Sequence, residues 1–152
     1  MARLFLIDGS AVFYRAYFAF IKNPLINSKG QNTSAVFGFC NTLLKLLLDE
    51  KPDHIAIVFD TGQPTFRHDL YTDYKATREK MPDDLRSQLP LIRTLAECLN
   101  IPILELNGYE ADDIIGTIST KADLAGFEVM MVSGDKDFMQ LITDRVKMYA
   151  VA

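Results

Sequence analysis

Cysteine is nearly absent from this chain. Only Cys40 and Cys98 occur, each inside an apolar helical pattern. A disulfide or a metal site is a poor reading of such a pair, and two buried free thiols are expected. Long apolar runs are missing too: no stretch of about 18 apolar residues exists, so no segment reads as a membrane-spanning helix. The apolar Leu4–Ile7 segment is cut short by Asp8, too early for a secretion signal, which points to a cytosolic protein. Neither His54 nor His68 has a partner at ligand spacing, and there is no internal repeat or low-complexity segment. Basic charge is also in deficit. The 16 Lys and Arg face 20 Asp and Glu, a net charge of −4, which at first argues against a polyanionic partner. What remains is the composition of one ordinary globular domain, with 152 residues, 49% of them hydrophobic and 24% charged.

The apolar patterns alternate between strand and helix. Strands are predicted at Arg3–Ile7, His54–Phe59, Ile103–Leu106, Phe127–Val132 and Val146–Ala150. Helices are predicted at Ser10–Phe20, Ser34–Asp49, Leu85–Leu99 and Glu110–Leu124, with a short one at Asp137–Leu141. The second helix has Thr33 or Ser34 as cap and a predicted apolar face of Val36, Phe37, Cys40, Leu43, Leu44 and Leu47. Pro90 predicts a kink or break in the third, and Gly126 closes the fourth. Alternating strands and helices imply an α/β fold, a mostly parallel central sheet flanked by helices on both faces. The stretch Gln63–Asp83 stands apart as a polar surface excursion carrying Lys75, Arg78 and Lys80.

Acids follow four of the predicted strands. The first runs into Asp8 and the second into Asp60. The third leads to Glu110-Ala111-Asp112-Asp113, and the fourth to Asp135-Lys136-Asp137. In a parallel sheet the C-terminal strand ends share one edge, where α/β folds place their ligands. Seven carboxylates gathered there would repel one another and raise each other's pKa unless cations sit among them. An oxygen-only donor set suits a pair of hard ions, Mg²⁺ or Mn²⁺, and without Cys or His it points away from zinc. Paired metals of this kind serve phosphodiester hydrolysis. Setting these seven acids aside leaves 13 acidic against 16 basic residues, a balance of +3, so a metal-loaded cluster would remove most of the objection to nucleic acid.

Each acid has a plainer reading. An Asp after a strand is often a turn former or helix cap, and Asp112, Asp113 and Asp137 in first helical turns could simply oppose the helix dipole. Only the coincidence over four strand ends tips the balance. Glu110 and Asp113, three apart, share a helix face, while Asp112 points elsewhere, so one of the three is open to a supporting role. Arg15, inside Phe13-Tyr14-Arg15-Ala16-Tyr17, is either a snorkelling side chain or a phosphate ligand. Arg67, Lys75 and Arg78 are candidates to grip a phosphate backbone and Tyr74 to stack on a base, with plain surface polarity as the alternative for each.

Phe5-Leu6-Ile7-Asp8-Gly9-Ser10, Tyr14-Arg15-Ala16-Tyr17, Val58-Phe59-Asp60, Phe66-Arg67, Tyr74-Lys75 with Arg78, Met81 to Arg86, Gly108 to Asp113 and Ser133 to Asp137 occur in this order. The series resembles the 5′-nuclease family that includes the N-terminal domain of bacterial DNA polymerase I and the flap endonucleases, from Arg3 to the end of the chain. The resemblance implies a PIN- and resolvase-like fold, two metal ions, and hydrolysis of 5′ flaps and ends in DNA or RNA primers. It implies Asp8, Asp60, Glu110 and Asp112 around one metal, Asp135 and Asp137 at a second, and Asp113 in support. Arg15, Lys75 and Arg78 would face the scissile phosphate, and Tyr14 joins Arg67 and Tyr74 as residues for the nucleic acid. Gln63–Met81 would correspond to an arch that threads the single strand.

Family members continue beyond the last strand with further aspartates and a helix–hairpin–helix element. Within 152 residues the expectation is therefore a weaker second metal and low duplex affinity. Two rival classes stand beside this one. A phosphotransfer receiver or phosphatase also gathers acids at strand ends, but Asp8 is followed by Gly9-Ser10 and the acids outnumber what a single nucleophilic Asp requires. The other rival is a metal- and nucleic-acid-binding domain without turnover.

Overall fold

The computed structural model describes residues 1–61 and 81–150. At its centre is β1 (Arg3–Asp8), whose run of apolar side chains suits a strand covered on both faces. Phe5 and Ile7 enter one core layer and Leu6 the other, as the two-residue period of a strand requires. Beside it lie β2 (His54–Val58), β3 (Ile103–Leu104), β4 (Glu128–Val132) and β5 (Val146–Tyr149). They form one sheet in the order β3-β2-β1-β4-β5, with every pairing parallel. Ile7 stands level with both Ile57 and Val132, and Asp8 with Val58. The residues that leave β1, β2 and β4 therefore emerge at one height on one edge.

One face of the sheet is covered by α1 (Gly9–Ala19), α2 (Ser34–Lys45), the short α3 (Asp83–Arg86) and α4 (Leu89–Cys98), around Phe13, Phe39, Leu43, Phe59, Leu85 and Ile92. The opposite face is covered by α5 (Ala111–Leu124) and a 3₁₀ helix at Lys136–Leu141, around Ala111, Ile115 and Phe138. Helix α1 starts directly on the last residue of β1. Gly9 allows that: a Cβ there would meet Ile57 Cγ2 and the Phe59 ring at 2.9 Å. Gly126, with φ +90°, ends α5 in the left-handed conformation that favours glycine. Among the described residues no helix is long and apolar enough to cross a membrane.

Three local expectations are corrected. On α2 the buried apolar residues are Ala35, Phe39 and Leu43, with Val36 and, just past the helix end, Leu47 packed against the same core, whereas Phe37 and Leu44 are exposed. Phe37 instead packs edge-on against Phe20, at 5.8 Å between ring centroids, outside the main core. The end of that helix, Leu46–Glu50, is wound as a π-helix. The cysteines are not both buried: Cys40 is partly buried and Cys98, at the last residue of α4, is exposed.

The helix predicted over Leu85–Leu99 is two helices, broken ahead of Pro90, which sits in the first turn of α4, where its missing N–H leaves no bond unmade. Gln88 at the break is fully buried. Its Oε1 accepts from the backbone N–H groups of Ala35 (2.9 Å) and Val36 (3.1 Å), and its Nε2 donates to the Asp84 carbonyl (3.0 Å). Thr33, the residue at the start of α2, makes no capping bond with its side chain, so a glutamine distant in sequence satisfies donors that a cap usually serves. Gln88→Ala is expected to lower stability by about 1–3 kcal/mol, because it leaves those buried N–H groups without an acceptor. Urea unfolding reads this as a lower midpoint at unchanged slope; an unmoved midpoint would show that α2 does not depend on Gln88.

Candidate functional site

Asp8 closes β1 and is 4% exposed. Its Oδ1 accepts from Ala11 N–H (3.3 Å), capping α1, and its Oδ2 accepts from the Ser133 hydroxyl (2.9 Å) just beyond β4. Burial raises its pKa. The bonds from Ser133 and Ala11 pull the other way, and the charges of Asp60 and Asp135 add to the rise.

Asp60 follows β2. It accepts from the Ser10 hydroxyl (3.2 Å) and from the Ala111 N–H at the start of α5 (2.6 Å), where the helix dipole favours a carboxylate. Glu110 stands at the N-cap of α5 and is buried. Asp113 Oδ2 accepts from the Glu110 N–H (2.9 Å), forming a reciprocal capping box. So Glu110 and Asp113 do share an end of the helix, but they meet as partners in a cap. Asp112, the residue that spacing sets apart from them, carries the resolved interaction with the other acids. Burial first, and then the charges of Asp8, Asp135, Asp60 and Glu110, push its pKa up to about 6.

Beyond β4, Asp135 starts the 3₁₀ helix and accepts from Asp137 N–H (2.9 Å). Asp113 and Asp137 line an open cavity of about 680 Å³ together with Glu110, Asp112 and Lys121. The charges of Asp8, Asp135, Asp60 and Glu110 thus all act on Asp112, and Asp113 and Asp137 flank it. Among the described residues no three Asp, Glu, His or Cys side chains converge as a ready-formed cation cage. Several of the acids are held instead by nearby N–H and hydroxyl donors.

Arg15 is exposed on α1. One guanidinium nitrogen lies 3.9 Å from where a Cβ on Gly134 would stand, and Arg15 shares a cavity of about 260 Å³ with Ser133, Gly134 and Asp135. Its charge therefore stands at the end of β4 beside the acids. Tyr14 is partly buried, packed against the core and stacked on Phe18 at 6.4 Å between ring centroids.

A family model described as the 5′-3′ exonuclease, N-terminal resolvase-like domain matches residues 3–152. The chain belongs to this family. It is 49% identical over 144 residues to DNA polymerase I of Bacillus subtilis, covering 94% of this chain and 16% of that one. It is 42% identical over 146 residues to a 5′-3′ exonuclease of Aquifex aeolicus, covering 96% of this chain and 50% of the relative. A bacteriophage T5 flap endonuclease has the same fold, with a TM-score of 0.71 at 21% identity over 97% of this chain and 54% of that one. The PIN- and resolvase-like parallel sheet expected from the motifs is thus the architecture found. The chain spans about a sixth of the length of the polymerase relatives and half that of the Aquifex exonuclease.

For a member of this exonuclease family, two sets of expected residues stand differently. Asp8, Asp60, Glu110 and Asp135 act on Asp112 from the ends of β1, β2, β3 and β4, and Asp113 and Asp137 line the cavity beside it. Arg67, Tyr74, Lys75 and Arg78, with nearly all of the expected arch, lie outside the described residues. Among the described residues, two side chains that bond to the acids, those of Ser10 and Ser133, were given no role on sequence grounds. Their only signal was adjacency: each hydroxyl stands two residues from an aspartate in a quoted motif.

Proposed function

We propose that this chain is the metal-binding part of a divalent-metal-dependent 5′-3′ exonuclease or flap endonuclease. Its substrates are phosphodiesters near the 5′ ends of DNA, or of RNA primers, in replication and repair. The observation that carries the reading is the meeting of Asp8, Asp60, Glu110, Asp112 and Asp135 from four strand ends, in a chain whose relatives include a 5′-3′ exonuclease. The bacteriophage T5 enzyme of the same fold was solved in complex with DNA and metal ions.

The donors are carboxylate oxygens alone, ranging from the buried Asp8 and Glu110 to the exposed Asp60 and Asp137, which fits Mg²⁺ or Mn²⁺. In this reading Asp8, Asp60, Glu110 and Asp112 hold one ion, Asp135 and Asp137 hold a second, and Asp113 supports the site by fixing the Glu110 backbone. Such ions supply charge neutralisation and Lewis-acid activation for in-line hydrolysis. The chain's own part is placement. Arg15, with Lys75 and Arg78, stabilises the charge developing on the phosphate. Tyr14, Arg67 and Tyr74 hold the strand through stacking and phosphate contacts.

Cleavage of a 5′-labelled flap in Mg²⁺, Mn²⁺, Ca²⁺ or EDTA tests the proposal. Cutting near the junction with Mg²⁺ and Mn²⁺, and none with Ca²⁺ or EDTA, is the expected pattern. Arg15→Ala is expected to slow it by about 100-fold while leaving Mn²⁺ affinity unchanged. The second reading, a metal- and nucleic-acid-binding domain without turnover, draws on the acids being held by N–H and hydroxyl donors, with no ready-formed cation cage among the described residues. It predicts Mn²⁺ uptake and flap binding with no product. Absence of both uptake and cutting would overturn the two readings together.

A further inference from the structure

One hydroxyl joins two of the strand-end acids, and none of the roles above accounts for it. Ser133 is 1% exposed at the end of β4. Its backbone is fixed by the sheet, since its N–H donates to the Tyr149 carbonyl (3.2 Å) in continuation of the β4–β5 ladder. Its side chain then makes two bonds of opposite sense. The Oγ–H donates to Asp8 Oδ2 (2.9 Å), and a lone pair of the same oxygen accepts from the Asp135 N–H (3.1 Å). A hydroxyl has one proton and two lone pairs, so one atom serves both acids. Beyond it the chain of bonds continues, because Asp135 Oδ1 accepts from the Asp137 N–H (2.9 Å).

Resting on the metal-site reading above, we infer that Ser133 is a positioning residue: it sets the orientation of the Asp8 carboxylate and its spacing from the Asp135 backbone. Asp8 is on β1 and Asp135 follows β4, adjacent strands held in register by backbone bonds. Those bonds fix the two main chains but leave the Asp8 side-chain torsions free. Ala11 N–H restrains one carboxylate oxygen at 3.3 Å, and Ser133 restrains the other at 2.9 Å. Without the Ser133 hydroxyl, one Asp8 oxygen loses its donor and the Asp135 N–H loses its acceptor, and the carboxylate is left with the longer Ala11 bond alone. A cation that needs oxygens from both strand ends then has to order them on binding. Groups that orient metal ligands in this way are typically worth about 10- to 100-fold in affinity.

The neighbouring space separates the hydroxyl from mere packing. A cavity of about 260 Å³ borders Ser133, Gly134, Asp135, Ala11, Val12 and Arg15, so a threonine methyl has room while its hydroxyl keeps both bonds. Three proteins, wild type, Ser133→Ala and Ser133→Thr, are titrated with Mn²⁺ by calorimetry, and their melting temperatures are recorded in EDTA. The expected result is a loss of Mn²⁺ affinity of about 10-fold or more in Ser133→Ala, with affinity restored in Ser133→Thr and all three proteins folded. Equal affinities in wild type and Ser133→Ala would overturn the positioning role while leaving the metal site standing. Equal loss in the Ala and Thr variants would assign the effect to packing and overturn it as well. A wild type that takes up no Mn²⁺ would overturn the metal-site reading, and the role of Ser133 with it.

Discussion

Asp8→Ala and Asp8→Asn are each expected to abolish both Mn²⁺ uptake and flap cleavage, and to do so in a folded protein. Asp8 is the most buried of the clustered acids and lies on the central strand, so it reaches the common edge from the middle of the sheet. Its removal acts on stability in two opposed ways. Alanine loses the cap on Ala11 N–H and the acceptor for Ser133, a loss of about 1 kcal/mol for the cap. It also removes a carboxyl whose raised pKa reports an unfavourable buried charge. Asparagine removes the charge and keeps an oxygen for capping, so Asp8→Asn is expected to be the more stable variant in EDTA, at or above wild type. Calorimetric titration with Mn²⁺, flap cleavage and urea unfolding check the pair. Uptake of Mn²⁺ by Asp8→Asn at wild-type affinity would remove Asp8 from the ligand set. Unfolding of both variants would leave Asp8 with only its role as a helix cap.

The sheet was legible because its signal is local. Leu4 to Ile7 is apolar on both faces, which only a strand covered on both sides needs, and the helices between strands leave parallel pairing as the economical arrangement. What could not be read was contributed by distant residues. The start of α2 is served by Gln88, more than fifty positions away, and no pattern around Thr33 and Ser34 carries that information. The α2 face was misassigned at Phe37 and Leu44, which look like core from their size; Val36, Leu43 and Leu47 do pack in the core, together with Ala35 and Phe39. Pro90 was read correctly as a break, since a missing N–H acts within its own turn.

The same division runs through the site. That the acids meet at one edge followed from strand ends and a topology rule. How each is held did not. Helical spacing grouped Glu110 with Asp113 and set Asp112 aside; the structure uses the first two in a capping box and leaves Asp112 half-buried under the charges of Asp8, Asp135, Asp60 and Glu110. Spacing gives directions around a helix axis, but Glu110 is the cap itself and lies half outside the helix, so its side chain does not follow the helical period. Ser133 was invisible as a partner of Asp8 because the two are 125 residues apart, and only the β1–β4 pairing brings them together.

Asp112→Asn is expected to stabilise the metal-free protein at neutral pH and to leave it unchanged at acid pH. The Asp112 carboxyl is raised from 3.8 to about 6, so the folded chain binds its proton more tightly than the unfolded chain does. Where the folded state holds more protons, stability falls as pH rises. The penalty from this group is therefore absent below the unfolded value of 3.8, grows through the window up to about 6, and is complete above it. A change of that size corresponds to about 3 kcal/mol without screening; Asp112 is half-buried, and solvent screening brings the expected figure to the order of 1 kcal/mol. Urea unfolding in EDTA at several pH values checks this. The difference between Asp112→Asn and wild type is expected to be near zero at the acid end and to grow to its full value by neutrality. Saturating Mn²⁺ is expected to reverse the order, since a bound ion stabilises the folded state in proportion to its affinity and Asn removes one of its charged ligands. A difference that stays constant with pH would mean that the variant acts through the capping turn of α5. A difference of the same sign with and without Mn²⁺ would mean that Asp112 does not face the ion.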